Sequence, residues 1–370
     1  MPPFAKNLPL NGLTVIALEQ AVSAPFATVK LADAGARVIK IERPEGDFAR
    51  GYDKAAKGQS SYFVWLNRGK ESHIADLTTA AGKDDLRALL AGADVLVQNL
   101  KPGALDRLGF ERAQLAQEFP RLIVCAITGY GQSGPMADRK AYDLLVQAES
   151  GLCSITGGPE QAARVGTSVV DIATGATAHA AILEALIARG ITGRGCHIDV
   201  SMFDVMADWL SVPLLNHEAG KTPRRIGLAH PSIAPYGAFA TRDGAEILIA
   251  IQSDREWATL CQTWLGQPAL AHDPRFATNV GRVQNRTETD ALMAAAFAKL
   301  TVAEASESLA AADLAFACVN DMAGLSTHPH LRRITVETPM GPVSYPAPAA
   351  IFSDQPRSYG PVPALMPPET

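Results

Sequence analysis

Asp171 stands in RVGTSVVDIATG (164–175), where a short apolar run delivers a carboxylate to the start of a long apolar pattern, IATGATAHAAILEALIARG. Two chemistries fit that placement. The first is structural: aspartate is among the best helix N-caps, because its oxygens accept from the free N–H groups of the first turn. The second is nucleophilic. A helix N-terminus favours an ionised carboxylate, and an ionised carboxylate can attack an activated acyl group. A side chain locked as a cap is not free to attack, so the two readings share a position but not a rotamer.

Other residues point to a charged small molecule. Arg43 follows VIKIE and Lys70 lies in NRGKE, while Lys101 and Arg107 flank the Pro-Gly turn of NLKPGALDRLGF (99–110). Several cations at strand ends suit a polyphosphate held by charge-assisted contacts. The net charge of −5 gives no basic footprint for nucleic acid. In KAYDLL, Tyr142 reads as an amphipathic aromatic with a wet hydroxyl and Asp143 as a cap for LLVQAESG. Gly129, Gly131 and Gly134 form GxGxxG, yet Pro135 follows at once and no acidic residue stands at a strand end about 20 residues on, as a dinucleotide fingerprint requires. That loop is expected to shape a site instead. His328 and His330 are separated by a proline with no cysteine nearby, which gives a metal site little support; no GxSxG elbow is present. Five widely spaced cysteines without a CxxC pair indicate neither zinc nor a disulfide framework and fit a reducing cytoplasm. The N-terminus lacks a signal-peptide stretch, and no apolar run is read as long enough to span a membrane.

The elements that must position these residues follow from periodicity. LTVIAL (13–18), ARVIKIE (36–42), DVLVQN (94–99) and RLIVCAIT (121–128) read as buried strands. Helical patterns lie between them at 24–35, 81–93 and 111–120. Alternation of this kind implies a doubly wound α/β sheet with mostly parallel strands, whose ligands bind beyond the carboxyl ends of the strands. HIDVSMFDVMADWLSVPLL (197–215) reads as another strand entering a helix. Residues 216–237 are rich in Gly and Pro and read as a linker or functional loop. GAFATRDGAEILIAI then reads as a hairpin turning at Arg242-Asp243-Gly244, followed by helices such as 289–300. The expected organisation is a large domain over 1–215, a linker and smaller α+β domain over 216–325, and a proline-rich return to the large domain over 326–370.

Taken together, LNGLTVIALEQAVSAPFAT, LADAGARVIKIERPEGDFAR, LNRGKES, VQNLKPGALDRLGF, ITGYGQSGP, KAYDLLVQAESGLCSITGGPE, RVGTSVVDIATG and TGRGCHIDVSMFDVM resemble the class III CoA-transferases, the group that includes formyl-CoA transferase, carnitine CoA-transferase and α-methylacyl-CoA racemase. The resemblance spans about residues 10–240 and continues towards the end. It implies a Rossmann-like large domain and an interlocked homodimer. It also implies a nucleophile at Asp171 and a CoA site formed by Gln20, Ala21, Val22, Arg43, Lys70, Asn99, Leu100, Arg107, Lys140 and Tyr142, with Ser23 beside the reacting thioester. The CoA thioester enters as substrate, and no permanently bound cofactor or metal is implied. Racemases of the group carry a histidine where this chain has Tyr142, and racemisation needs two opposed proton carriers; the racemase reading is weakened accordingly. HPSIAPYGAF takes the place of the glycine-rich loop of formyl-CoA transferases, which argues against a formyl/oxalate pair. Arg50, Arg224, Arg225 and His230 are cations for a second carboxylate, and the expected partners are an acyl-CoA and a small dicarboxylic acid of the mesaconyl, citramalyl or succinyl type. The reading from another class is an NAD(P)-dependent oxidoreductase on the glycine loop.

Overall fold

A computed structural model describes residues 8–365, which form two compact units. Of these, the first takes 8–152, 164–215 and 332–365; the second takes 153–163 and 216–331. The first is built on β1 (Thr14–Leu18), α1 (Ser23–Asp33), β2 (Arg37–Glu42), α2 (Ser61–Asn67), β3 (Lys70–Ile74), α3 (Ala80–Leu90), β4 (Val95–Gln98), α4 (Ala104–Arg107), α5 (Arg112–Glu118) and β5 (Ile123–Thr128). It continues through α6 (Asp143–Glu149), then, past α7 (Leu152–Ile155), which falls in the second unit from 153 on, through α8 (Val169–Thr192), β6 (His197–Ser201), α9 (Met202–Trp209) and α10 (Ser211–Glu218), which belongs to the first unit as far as 215. All six strands are parallel, in the order β3-β2-β1-β4-β5-β6. Four of them were legible as apolar runs because both sheet faces are covered. One face carries α1, α8 and α9 on Val15, Val97, Cys125 and Ile127; the other carries α3 and α5 on Ile16, Leu96 and Val124. The strand the sequence did not show is β3. Its residues, KESHI, are polar, and it lies at the sheet edge, mostly half-buried.

The helix after RVGTSVVD is the longest element, 24 residues. By length and composition it could cross a membrane, a length the sequence reading assigned to no apolar run. Val170, Ala173, Ala178 and Ile182 are buried in the core beside α1 and the sheet. Gly175 sets how closely α8 meets α1: a Cβ there would lie 2.4 Å from the carbonyl oxygen of Ser23 and 2.9 Å from the Cβ of Phe26.

In the second unit, β7 (Tyr236–Ala240), β8 (Glu246–Ala250) and β9 (Phe316–Cys318) form an antiparallel sheet, with the expected turn at Gly244 in left-handed conformation. Helices α11 (Asp254–Thr259), α12 (Asn279–Gln284), α13 (Arg286–Phe297), α14 (Val302–Ala311) and α15 (Met322–Ser326) complete it, around Trp257, Phe276, Met293 and Phe297. Residues 153–163, read from sequence as part of the large domain, group here instead. Arg225 donates to the carbonyls of Ser154, Gly158 and Pro159, and the Gly227 N–H donates to that of Gly157. The return to the first unit begins at 332 rather than 326, with a hairpin of β10 (Arg333–Val336) and β11 (Val343–Pro346). Val336 and Val362 pack on Phe63 and Val64.

Candidate active site

The strand order reverses between β1 and β4, the switch point at which doubly wound sheets open a crevice for ligands. The two loops leaving it are tied together. The Gln20 N–H donates to Asn99 Oδ1 at 3.0 Å, and Asn99 Nδ2 donates back to the Gln20 carbonyl at 2.8 Å. Ala21 adopts φ +61°, a conformation that costs a side-chain-bearing residue about a kcal/mol. Its N–H faces Asp47 Oδ1 at 3.4 Å, and the other Asp47 oxygen lies 2.9 Å from Lys40 Nζ. Below the loop, Lys40 and Lys70 flank the buried carboxylate of Glu19, which also accepts from Thr28. These two cations hold Glu19 below the usual carboxylate range against the desolvation of its site.

Beyond these loops lies a cavity of about 650 Å³. Residues 20–23 and 99–102 form one side, the 137–144 segment another, and Tyr52, Tyr62, Arg164, Ser168 and Asp171 close it. Asp171 is the third residue of α8. It is not the cap. The N–H groups of Val170 and Asp171 both donate to Asp143 Oδ1, at 2.8 and 3.3 Å, and the Val169 N–H donates to the Thr167 carbonyl. The donors of the first turn, which a helix leaves unsatisfied, are thereby met from elsewhere. Among the described residues nothing donates to the Asp171 carboxylate, which faces the cavity. Burial, and then the neighbouring charge of Asp143, push its pKa up to about 7. Burial and the charges of Asp47 and Asp171 push Tyr52 up to about 12, so its hydroxyl stays protonated.

Of the residues expected from sequence, Gln20, Ala21, Val22, Ser23, Asn99, Leu100, Lys140, Tyr142 and Asp171 line this one cavity. Tyr142 is 64% exposed. Arg43 lines a smaller neighbouring cavity of about 210 Å³, of which Gln20 and Leu100 also form part. Arg107 is exposed on α4, its guanidinium 3.5 Å from the Pro102 carbonyl, and lines neither. Three further expected residues are not among those lining this cavity. The Lys70 side chain is fully buried, bonded to Glu19, to the Pro25 carbonyl and to Asn67 Oδ1, and desolvation lowers its pKa to about 8. Arg50 is committed to Glu42 through Nε and Nη2, at 2.9 and 2.7 Å, and stacks on Phe63. His230 belongs to the second unit, where it stacks on Tyr236 and its Nδ1 accepts from the Ser232 N–H. Sequence reasoning passed over Tyr52, Tyr62, Arg139 and Arg164. Their signal was faint: Tyr52, Arg139 and Arg164 stand in polar loops where a solvated residue is the ordinary expectation, and Tyr62 stands in the apolar pattern of α2, where a core aromatic is. The glycine loop at 129–134 opens no helix, as a dinucleotide fingerprint must; the next helix begins at Asp143, and Gly129 is required because a Cβ would collide with Ala141.

Residues 10–365 match the family described as CoA-transferase family III. The chain belongs to that family. It is 43% identical, over 79% of its length and 75% of the relative's, to an acetyl-CoA:oxalate CoA-transferase of Acetobacter aceti. It is 34% identical, over 97% of its length and 83% of the relative's, to a succinyl-CoA:glutarate CoA-transferase of Homo sapiens. A solved CAIB/BAIF family protein from Brucella suis superposes with a TM-score of 0.83 at 36% identity, covering 95% of each chain. As a family III CoA-transferase the protein acts on CoA thioesters. The oxidoreductase reading falls with that assignment and with the missing fingerprint geometry.

Proposed function

We propose that the protein moves CoA between two small carboxylic acids, at least one of them dicarboxylic, through covalent intermediates on Asp171. The observation that carries this reading is the division of labour at α8: Asp143 caps the helix, and the Asp171 carboxylate is left without a donor at the wall of the cavity. Asp171 attacks the thioester carbonyl of the donor, forming an acyl–aspartyl anhydride as CoA thiolate departs. The thiolate then attacks the aspartyl carbonyl, giving an aspartyl–CoA thioester and releasing the donor acid, which leaves with one aspartate oxygen. An acceptor carboxylate attacks that thioester, a second anhydride forms, and thiolate attack on the acceptor acyl carbon regenerates Asp171. One hard exchange becomes four carbonyl substitutions of similar difficulty. The N-terminus of α8 favours the ionised form of Asp171.

Support for a dicarboxylic partner comes from the cations. Arg50 is tied to Glu42 and Arg225 to three carbonyls, but Arg164 lines the same cavity as Asp171 and suits a distal carboxylate. The relatives' names, oxalate and glutarate, agree with that class. The lack of a glycine-rich loop carries little weight against oxalate, given the 43% identity to an oxalate enzyme. Tyr142, where a racemase of this group has histidine, speaks against proton exchange at the α-carbon. We further take the working form to be a cytoplasmic homodimer. Ile187 and Ile191 of α8 and Val212 and Leu215 of α10 are exposed in the single chain, and large apolar side chains of this kind suit a subunit interface. The test of the chemistry is trapping: hydroxylamine added with succinyl-CoA should convert the Asp171 side chain to a hydroxamate found by peptide mapping. Turnover without any modified Asp171 peptide would refute the covalent route.

A further inference from the structure

Asp143 joins the site to its supports in a way no residue type announced. It is the first residue of α6, and its side chain does not cap α6: Oδ1 accepts from the N–H groups of Val170 and Asp171. Oδ2 accepts from Gln147 Nε2 at 2.6 Å, one turn along α6. Gln147 is fully buried, and its Oε1 accepts from the Val165 N–H at 2.9 Å. The first turn of α6 therefore grips the chain at three points just before and within the start of α8. The residue preceding Asp143, Tyr142, lies on the cavity wall.

We infer that Asp143 is a positioning residue for the transfer reaction: it occupies the N-terminal donors of α8, frees the Asp171 carboxylate to turn into the cavity, and sets the charge against which that carboxylate ionises. The inference rests on Asp171 being the nucleophile. Two effects follow from one side chain. Without an external acceptor, the Asp171 carboxylate is the nearest group able to bond the free N–H donors of its own turn, and that rotamer withdraws it from the substrate. With Asp143 in place the donors are filled, and a second negative charge stands beside the nucleophile. A like charge disfavours ionisation, so Asp171 should hold its proton to a higher pH than the helix end alone would allow. The other ionisable groups lining this cavity are Tyr52, Tyr62 and Tyr142, with Lys101, Asp138, Lys140 and Arg164; Arg139 is paired with Glu149. None of them is altered by a change at Asp143, so a shift in the acid limb of activity reports on Asp143.

The experiment compares wild type, Asp143→Asn and Asp143→Ala, with succinyl-CoA as donor and glutarate as acceptor, across roughly pH 5 to 9. Asparagine keeps an oxygen for the α8 donors, removes the charge and gives up the bond from Gln147 Nε2, since its own amide nitrogen cannot accept. It should hold kcat at high pH within a few-fold of wild type while the acid limb of kcat/KM moves down by about one pH unit. Alanine removes the cap as well and should lower kcat on the order of a hundredfold with little change in KM. An unmoved limb in Asp143→Asn, or an Asp143→Ala enzyme with wild-type kcat, would overturn the inference. If Asp143→Ala does not fold, the limb of Asp143→Asn decides alone. Hydroxylamine trapping on the wild-type enzyme keeps the two claims apart. Absence of Asp171 hydroxamate sinks the nucleophile reading; its presence with an unmoved limb sinks only the role of Asp143.

Discussion

Asp171→Asn should produce an enzyme that is inactive and, at alkaline pH, more stable than wild type. The rise of the Asp171 pKa from 3.8 to about 7, at about 1.4 kcal/mol per pH unit, makes its ionised form cost roughly 4 kcal/mol in the folded protein. Water on the open side of the cavity and the α8 N-terminus recover part of this, leaving about 2 kcal/mol. The sign is fixed by linkage. An acid with a raised folded-state pKa is destabilising when ionised, so the penalty is absent below about pH 3.8, grows as pH rises, and is complete above about 7. Asparagine carries no charge and is close to the same shape, and no cap is lost because Asp143, not Asp171, accepts from the first turn. The stability advantage of the variant should therefore be near zero around pH 4 and close to about 2 kcal/mol at pH 8. Urea unfolding of both proteins at the two pH values measures it, alongside transferase turnover and CoA binding. A variant equally stable at both pH values relative to wild type, or one that keeps turnover, would refute the reasoning.

Three further outcomes follow from the packing. Gly175→Ala should destabilise by about 1–3 kcal/mol and lower kcat, since a Cβ there meets the Ser23 carbonyl at 2.4 Å and pushes the nucleophile's helix away from the 20–23 loop; thermal melts and kinetics check both. Lys70→Met should cost about 3–5 kcal/mol by leaving Glu19 buried with one cation fewer, measured by denaturant unfolding, with any loss of CoA affinity following the loss of folded protein. Arg164→Ala should raise KM for dicarboxylic acceptors about tenfold or more and leave monocarboxylic acceptors unaffected, as read from initial rates on matched pairs of acids.

The parts legible in the sequence were those that periodicity and turn chemistry dictate. Strands β1, β2, β4 and β5 are apolar because both faces of the sheet are covered, and the loops after β1 and β4 flank the switch point; Gln20, Asn99 and Asp171 were brought together by the family resemblance, not by periodicity. β3 was not legible because an edge strand can be polar: KESHI has no apolar run to detect. The burial of Lys70 was not legible for a related reason. A sequence shows the sign of a charge but not its depth, and this lysine is buried as the partner of Glu19. The cap was the subtlest case. Asp143 and Asp171 are both aspartates at helix starts, and local rules make each its own helix's cap; only the fold brings Asp143 to the neighbouring helix, where it accepts from the Val170 N–H 27 residues further along the chain.

The central claim is that the carboxylate of Asp171 bonds covalently to substrate, and heavy oxygen follows that bond directly. With an acceptor acid labelled in its carboxylate, the acceptor leaves as a CoA thioester and one labelled oxygen stays on the enzyme. After a single turnover with succinyl-CoA and labelled glutarate, mass spectrometry of the peptide that contains Asp171 should show one heavy oxygen at that residue, and Asp171→Asn should show none. Turnover that leaves every enzyme peptide unlabelled would contradict the account.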